Sequence, residues 1–82
     1  MKKDYNGWKN RQTWNVALWI NNDESLYRAA VDFMQNYKGN KPYSSFIRYC
    51  GLEGCRTPDN ISYSGSRLDY AALNEMMREL ID

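Results

Sequence analysis

Hydrophobic residues crowd the stretch from Asn10 to Asn22, Asn-Arg-Gln-Thr-Trp-Asn-Val-Ala-Leu-Trp-Ile-Asn-Asn, which carries two of the chain's three tryptophans. Projected at about 100° per residue, Trp14, Ala17 and Leu18 fall on one flank and Val16, Trp19 and Ile20 on the opposite one. Only a thin polar stripe is left, from Arg11, Asn15 and Asn22. A helix apolar on nearly every side sits centrally in a bundle, and this one is far too short to cross a bilayer. The pattern therefore predicts a core helix that the other elements wrap. Asn10 is its expected N-cap, with Thr13 as the alternative, and Asn21-Asn22-Asp23 ends it. Trp14 and Trp19 read first as core packing and second as a partner-binding hot spot, since tryptophan dominates both settings.

A second helix starts from a cap at Asp23 or Asn22 and carries Leu26, Ala29, Ala30, Phe33, Met34 and Tyr37 at three- and four-residue spacing. Glu24, Arg28 and Asp32 follow one another at four-residue intervals, where each ion pair adds about 0.2–0.5 kcal/mol. Gly39 is the expected stop. Residues 42–50 predict a shorter helix capped by Ser44 or Ser45 and ended by Gly51, although Phe46–Cys50 also fits a strand and so few positions do not separate the two.

Residues 51–67 hold three of the five glycines together with the turn sequence Thr57-Pro58-Asp59-Asn60, so they form one long loop. A short extended segment near residues 57–64, with Ile61 and Tyr63 packed on the core, is the alternative. The last helix opens at Asp69, with Leu68 placed to staple onto Leu73, and continues through Met76, Met77, Leu80 and Ile81. The adjacent methionines read as core filler ahead of an adaptable partner groove. Together these elements predict an all-α fold, a compact single domain over residues 1–82 built as a bundle of three to four short helices with one long loop. Residues 1–9 form an N-terminal arm.

A chain of 82 residues leaves no room for a second domain. A domain of this size buries only about 60–65% of its unfolded surface. The net charge of +1 conceals an uneven distribution. Lys2, Lys3, Lys9 and Arg11 stand against Asp4 at one end, and Asp69, Glu75, Glu79 and Asp82 against Arg78 at the other. The ends are expected to attract one another; the second reading is a basic end that meets a polyanion. No secretory or membrane-spanning segment is recognisable, which points to a cytosolic protein. Cys50 and Cys55 have no histidine anywhere in the chain to complete a zinc site, so free thiols are the first reading and a local disulfide the second.

Catalytic signatures are missing from the pattern. Without histidine a hydrolase would need a less common base, and neither a phosphate-binding glycine loop nor a dinucleotide fingerprint is present. A non-enzymatic protein without cofactor or metal is expected. The arm interleaves lysines with Tyr5 and Trp8, a composition that suits stacking on bases and equally suits an arm pinned to the core by Trp8. The long loop is the other candidate surface. The residues singled out for partner contact are therefore Tyr5, Trp8, Lys9 and Arg11 from the arm and first turn, with Arg56, Asn60 and Tyr63 from the loop.

The segment Asn10-x-x-Thr13-Trp14-Asn15-Val16-x-Leu18-Trp19-Ile20-x-Asn22-Asp23, preceded by Gly7-Trp8 and followed by Leu26-Tyr27-Arg28, resembles a small family of short phage-encoded proteins, cyanophage ones among them. The tail from Leu68-Asp69 to Ile81 is similar to that family's closing helix. Arg11 and Gln12 depart from the aromatic and acidic residues more usual at those places. The resemblance implies a phage origin, expression in the cytoplasm of a bacterial host and action by binding a host component; it carries no functional residues. The resulting expectation is stoichiometric binding to a host protein, acting by occlusion. The alternatives are weak nucleic-acid binding and a self-associating structural or virion accessory role.

Overall fold

The computed structural model describes residues 7–82 and contains four helices: α1 (Arg11–Asn22), α2 (Glu24–Asn36), α3 (Pro42–Tyr49) and α4 (Tyr70–Glu79). The described residues thus form the expected all-α domain. Tyr5 and most of the arm lie outside them.

Each helix start has a chemical cause. Asn10 caps α1 by accepting from the Thr13 amide at 2.9 Å, Asp23 caps α2 through the Leu26 amide at 3.0 Å, and Asp69 caps α4 through the Ala72 amide at 3.2 Å. The helix α3 departs from expectation, because neither Ser44 nor Ser45 caps it. Pro42 occupies its first turn, where a missing amide proton costs nothing, and the Tyr43 amide donates across to Asn74 of α4 at 3.0 Å. One polar side chain thereby satisfies a helix start and ties α3 to α4. The strand alternative for this segment does not occur.

Packing shows that α1 is not the hub. Both α2 and α4 touch all three other helices, whereas α1 packs on α2 and α4 and makes no close backbone approach to α3. The core runs from Val16 and Ile20 of α1 through Ala30 and Met34 of α2 to Phe46 and Ile47 of α3 and Leu73 and Met77 of α4. Each of the larger side chains, fully removed from water, contributes about 1.5–3 kcal/mol. Leu68 and Leu73 are both buried, as the staple requires.

The polar stripe expected on α1 holds at Arg11 and Asn22, which are exposed, and is corrected at Asn15, which is buried at 1% exposure, as is Thr13 at 0%, while Trp14, Leu18 and Trp19 are half-buried. A helical projection records polarity but not partners. Here the buried polar side chains face the long loop, which covers this flank of α1.

Candidate functional site: an arginine-lined concavity

The long loop is ordered by its own turn. The amides of Thr57 and Asn60 bond to the carbonyls of Ile61 (2.8 Å) and Thr57 (2.7 Å), and Arg56 pairs antiparallel with Ser62 in an isolated bridge. Asn60 takes the left-handed conformation at φ 69°, which asparagine accepts more readily than most residues. The extended alternative for residues 57–64 is therefore realised as a minimal hairpin.

That hairpin is held to α1 by a closed set of hydrogen bonds. The Thr57 hydroxyl accepts from the amides of Asp59 and Ile61, both at 3.2 Å, and donates to Asn15 Oδ1 at 2.7 Å. Asn15 Nδ2 donates to Asp59 Oδ2 at 2.7 Å, and Trp19 Nε1 donates to the same oxygen at 2.9 Å. The Asn15 and Trp19 bonds, followed by the charge of Arg11, hold the Asp59 carboxyl below the usual carboxylate range. No described buried side-chain N or O atom lacks a partner.

A second clamp joins the first turn of α1 to the start of α4. Asn10 Nδ2 donates to the Arg67 carbonyl at 2.8 Å, and the Thr13 hydroxyl accepts from the Asp69 amide at 2.9 Å while donating to Asn10 Oδ1 at 2.7 Å. Asn10, Thr13, Asn15 and Trp19 of the distinctive segment thus spend their polar groups on fixing residues 57–69. Their role in the fold is that of a framework.

The framework encloses a concavity of about 450 Å³, lined by Gln12 from α1, Arg56, Asn60 and Ser62 from the hairpin, and Ser66 and Arg67 before α4. Arg11 is exposed beside Gln12, close enough to Asp59 to act on its charge. Among the described residues no acidic group lies within 4 Å of the guanidinium of Arg11, Arg56 or Arg67; the three ion pairs join Arg28 to Glu24, Arg48 to Glu53 and Arg78 to Glu75. Arg56 donates to the Asn60 carbonyl at 3.3 Å. The two nearby carboxylates are engaged, Asp59 with Asn15 and Trp19, and Asp69 with its helix cap. No acidic residue occupies the first turn of α1, so the positive end of that helix dipole adds to the same face.

The structure separates the residues singled out from sequence. Arg56 and Asn60 share the concavity and Arg11 flanks it. Lys9 is exposed just ahead of the α1 cap. Trp8 lies elsewhere, half-buried near Ala72 and Met76 of α4 on one side and Trp14 and Leu18 on the other. Tyr63 is not a surface contact: it is 4% exposed, and its carbonyl accepts the Tyr43 hydroxyl at 2.5 Å. Residues of the hairpin's return arm alternate in direction, and Tyr63 falls on the inward side. Arg67 and Gln12 were missed; the signal for Arg67 was its place two residues before a helix cap, where the backbone is fixed and the side chain free.

Cys50 and Cys55 are free thiols, half-buried and exposed respectively, and burial pushes the Cys50 thiol up. No described cluster of three or more acidic or cysteine residues could hold a metal. Among the described residues no helix is long and apolar enough to cross a membrane. Among known proteins, the model of a family described as a family of unknown function (DUF7249) matches residues 1–82. No curated protein and no solved structure matches the chain.

Proposed function

This chain belongs to that family of unknown function, and we propose that it is a non-catalytic binding protein that associates stoichiometrically with an acidic surface of a partner protein and acts by occluding it. The observation that carries this reading is the pair Arg56 and Arg67 lining a concavity whose backbone is clamped by hydrogen bonds, with Arg11 exposed nearby within reach of Asp59; among the described residues none of the three guanidinium groups has an ion pair. The backbone that carries Arg56 and Arg67 is already ordered, and a guanidinium matches a carboxylate in a bidentate fork.

The partner is assigned to a bacterial host and the chain to a phage, acting in the host cytoplasm. That assignment rests on the Asn10–Asp23 motif and its resemblance to short phage-encoded proteins. A protein partner is favoured over nucleic acid on two grounds. The net charge is only +1, and none of the residues lining the concavity offers an aromatic ring for a base to stack on. Arginine is also a residue enriched at protein interfaces.

Affinity capture from host lysate, with the wild-type chain and the Arg11→Glu/Arg56→Glu/Arg67→Glu variant in parallel, tests the reading. A partner retained by the wild type in near-stoichiometric amount and lost by the variant is expected. A partner held equally by both, or none at all, contradicts it. A gel shift with DNA at micromolar protein that the variant abolishes would replace the acidic protein with a polyanion.

A further inference from the structure

A second concavity, independent of the arginine face, opens along one side of α2. Ala29, Asp32, Phe33, Asn36 and Tyr37 share that side at three- and four-residue spacing, and Tyr49 closes it from the last residue of α3, enclosing about 470 Å³. Three aromatic rings meet there. Phe33 stacks on Tyr37 with centroids 5.0 Å apart and planes at 24°, and lies 5.3 Å from Tyr49 at 41°.

The rings are held from behind. Phe33 also rests on the buried Phe46 at 5.7 Å, and the Tyr37 hydroxyl accepts from the Lys41 amide and the Ser45 hydroxyl, each at 3.1 Å. Tyr49, by contrast, is 73% exposed, so a large ring stands in water beside a preformed aromatic wall. Such a surface is complementary to a flat group.

The polar groups of the cleft set the sign of that group. Arg28 stands four residues from both Glu24 and Asp32 yet pairs with Glu24 at 2.6 Å. This leaves Asp32 without an ion pair among the described residues. Asn36 donates weakly to the Asp32 carbonyl at 3.5 Å, which leaves its own amide oxygen available as an acceptor. The faces of aromatic rings are electron-rich, a carboxylate is anionic and an amide oxygen accepts, so all three features favour a cationic donor. A guanidinium satisfies them together, because it is planar, stacks on rings and engages a carboxylate through two N–H groups, whereas an ammonium is compact and more strongly hydrated.

We propose that the cleft formed by Phe33, Tyr37, Tyr49 and Asp32 binds an arginine side chain presented by a partner protein. The probe is a capped Gly-Arg-Gly peptide, with the citrulline and lysine peptides as controls, titrated against the isotope-labelled full chain and followed by NMR. The arginine peptide shifts the resonances of Phe33, Tyr37 and Tyr49 in a saturable manner. Citrulline, equally flat but neutral, binds about fivefold or more weakly, as do Tyr49→Ala and Asp32→Asn with the arginine peptide. Arg56→Glu leaves the titration unchanged, so failure of the arginine-face reading and failure of this one are separable.

Equal binding of the arginine and citrulline peptides overturns the proposal, as does a stronger response to lysine or no response at all. Shifts that follow protein concentration alone and vanish in Tyr49→Ala would overturn it too, and would make the cleft a contact between copies of this chain.

Discussion

Thr57 donates its hydroxyl proton to the Asn15 side chain at 2.7 Å across 42 positions of sequence, joining the turn of the hairpin to the middle of α1. Both residues are buried, so neither has water to fall back on. A buried polar group without a partner costs about 1–3 kcal/mol in protein contexts, whereas here each polar side-chain atom of the pair has a partner in Asp59, Ile61 or the other residue. The loop is consequently a fixed platform for Arg56 and Asn60.

Acid should loosen this platform first. The Asp59 carboxyl titrates below its ordinary value of 3.8 because Asn15 and Trp19 donate to its ionised form. A folded value below the unfolded one means a contribution to stability that is present above the unfolded pKa and is lost as pH falls through the folded one. As pH falls below that ordinary value, hairpin resonances and the fluorescence of the Trp19 indole should therefore change ahead of global unfolding. Asp59→Asn, which keeps an acceptor oxygen without a titrating proton, should flatten that early phase.

Tyr43→Phe tests the inner side of the hairpin. The hydroxyl of Tyr43, whose pKa burial drives well above its ordinary value, donates to the Tyr63 carbonyl. Its removal leaves a buried carbonyl unpaired while keeping the ring, so a loss of about 1–3 kcal/mol is expected from urea unfolding. An unchanged midpoint would mean that the carbonyl is satisfied elsewhere.

Gly39→Ala should disturb the aromatic cleft through Tyr37. A methyl at this position would stand 2.6 Å from Tyr37 Cζ and closer still to its hydroxyl, and that ring is tethered to Lys41 and Ser45. The tip of the ring must shift, straining or breaking these two bonds, at a cost of about 1 kcal/mol. Altered Phe33 and Tyr37 shifts, with those of the hairpin unchanged, are the expected NMR signature.

Much of the architecture was legible because helix starts are local chemistry. Asn10, Asp23 and Asp69 announce α1, α2 and α4 with their own side chains. The cap of α3 was not legible, since Asn74 reaches it from 31 positions away. For the same reason Asn15 read as a solvent-facing residue: apolar periodicity marks what avoids water, but a buried polar side chain is recognised only from the partner that the tertiary fold supplies. Arg56 and Asn60 were found through their loop composition and Arg11 through its charge. Arg67 escaped because the clamp that presents it, Asn10 on its carbonyl, joins segments 57 residues apart.

The double-mutant cycle of Asn15→Ala and Thr57→Ala, read by urea unfolding, addresses the framework most directly. Each single substitution should cost about 1–3 kcal/mol, and the double variant should cost less than their sum by about 1 kcal/mol or more, as for buried partners in one network. Costs that add within about 0.3–0.5 kcal/mol would show that α1 does not hold the hairpin through this pair, and the fixed arginine face would lose its foundation.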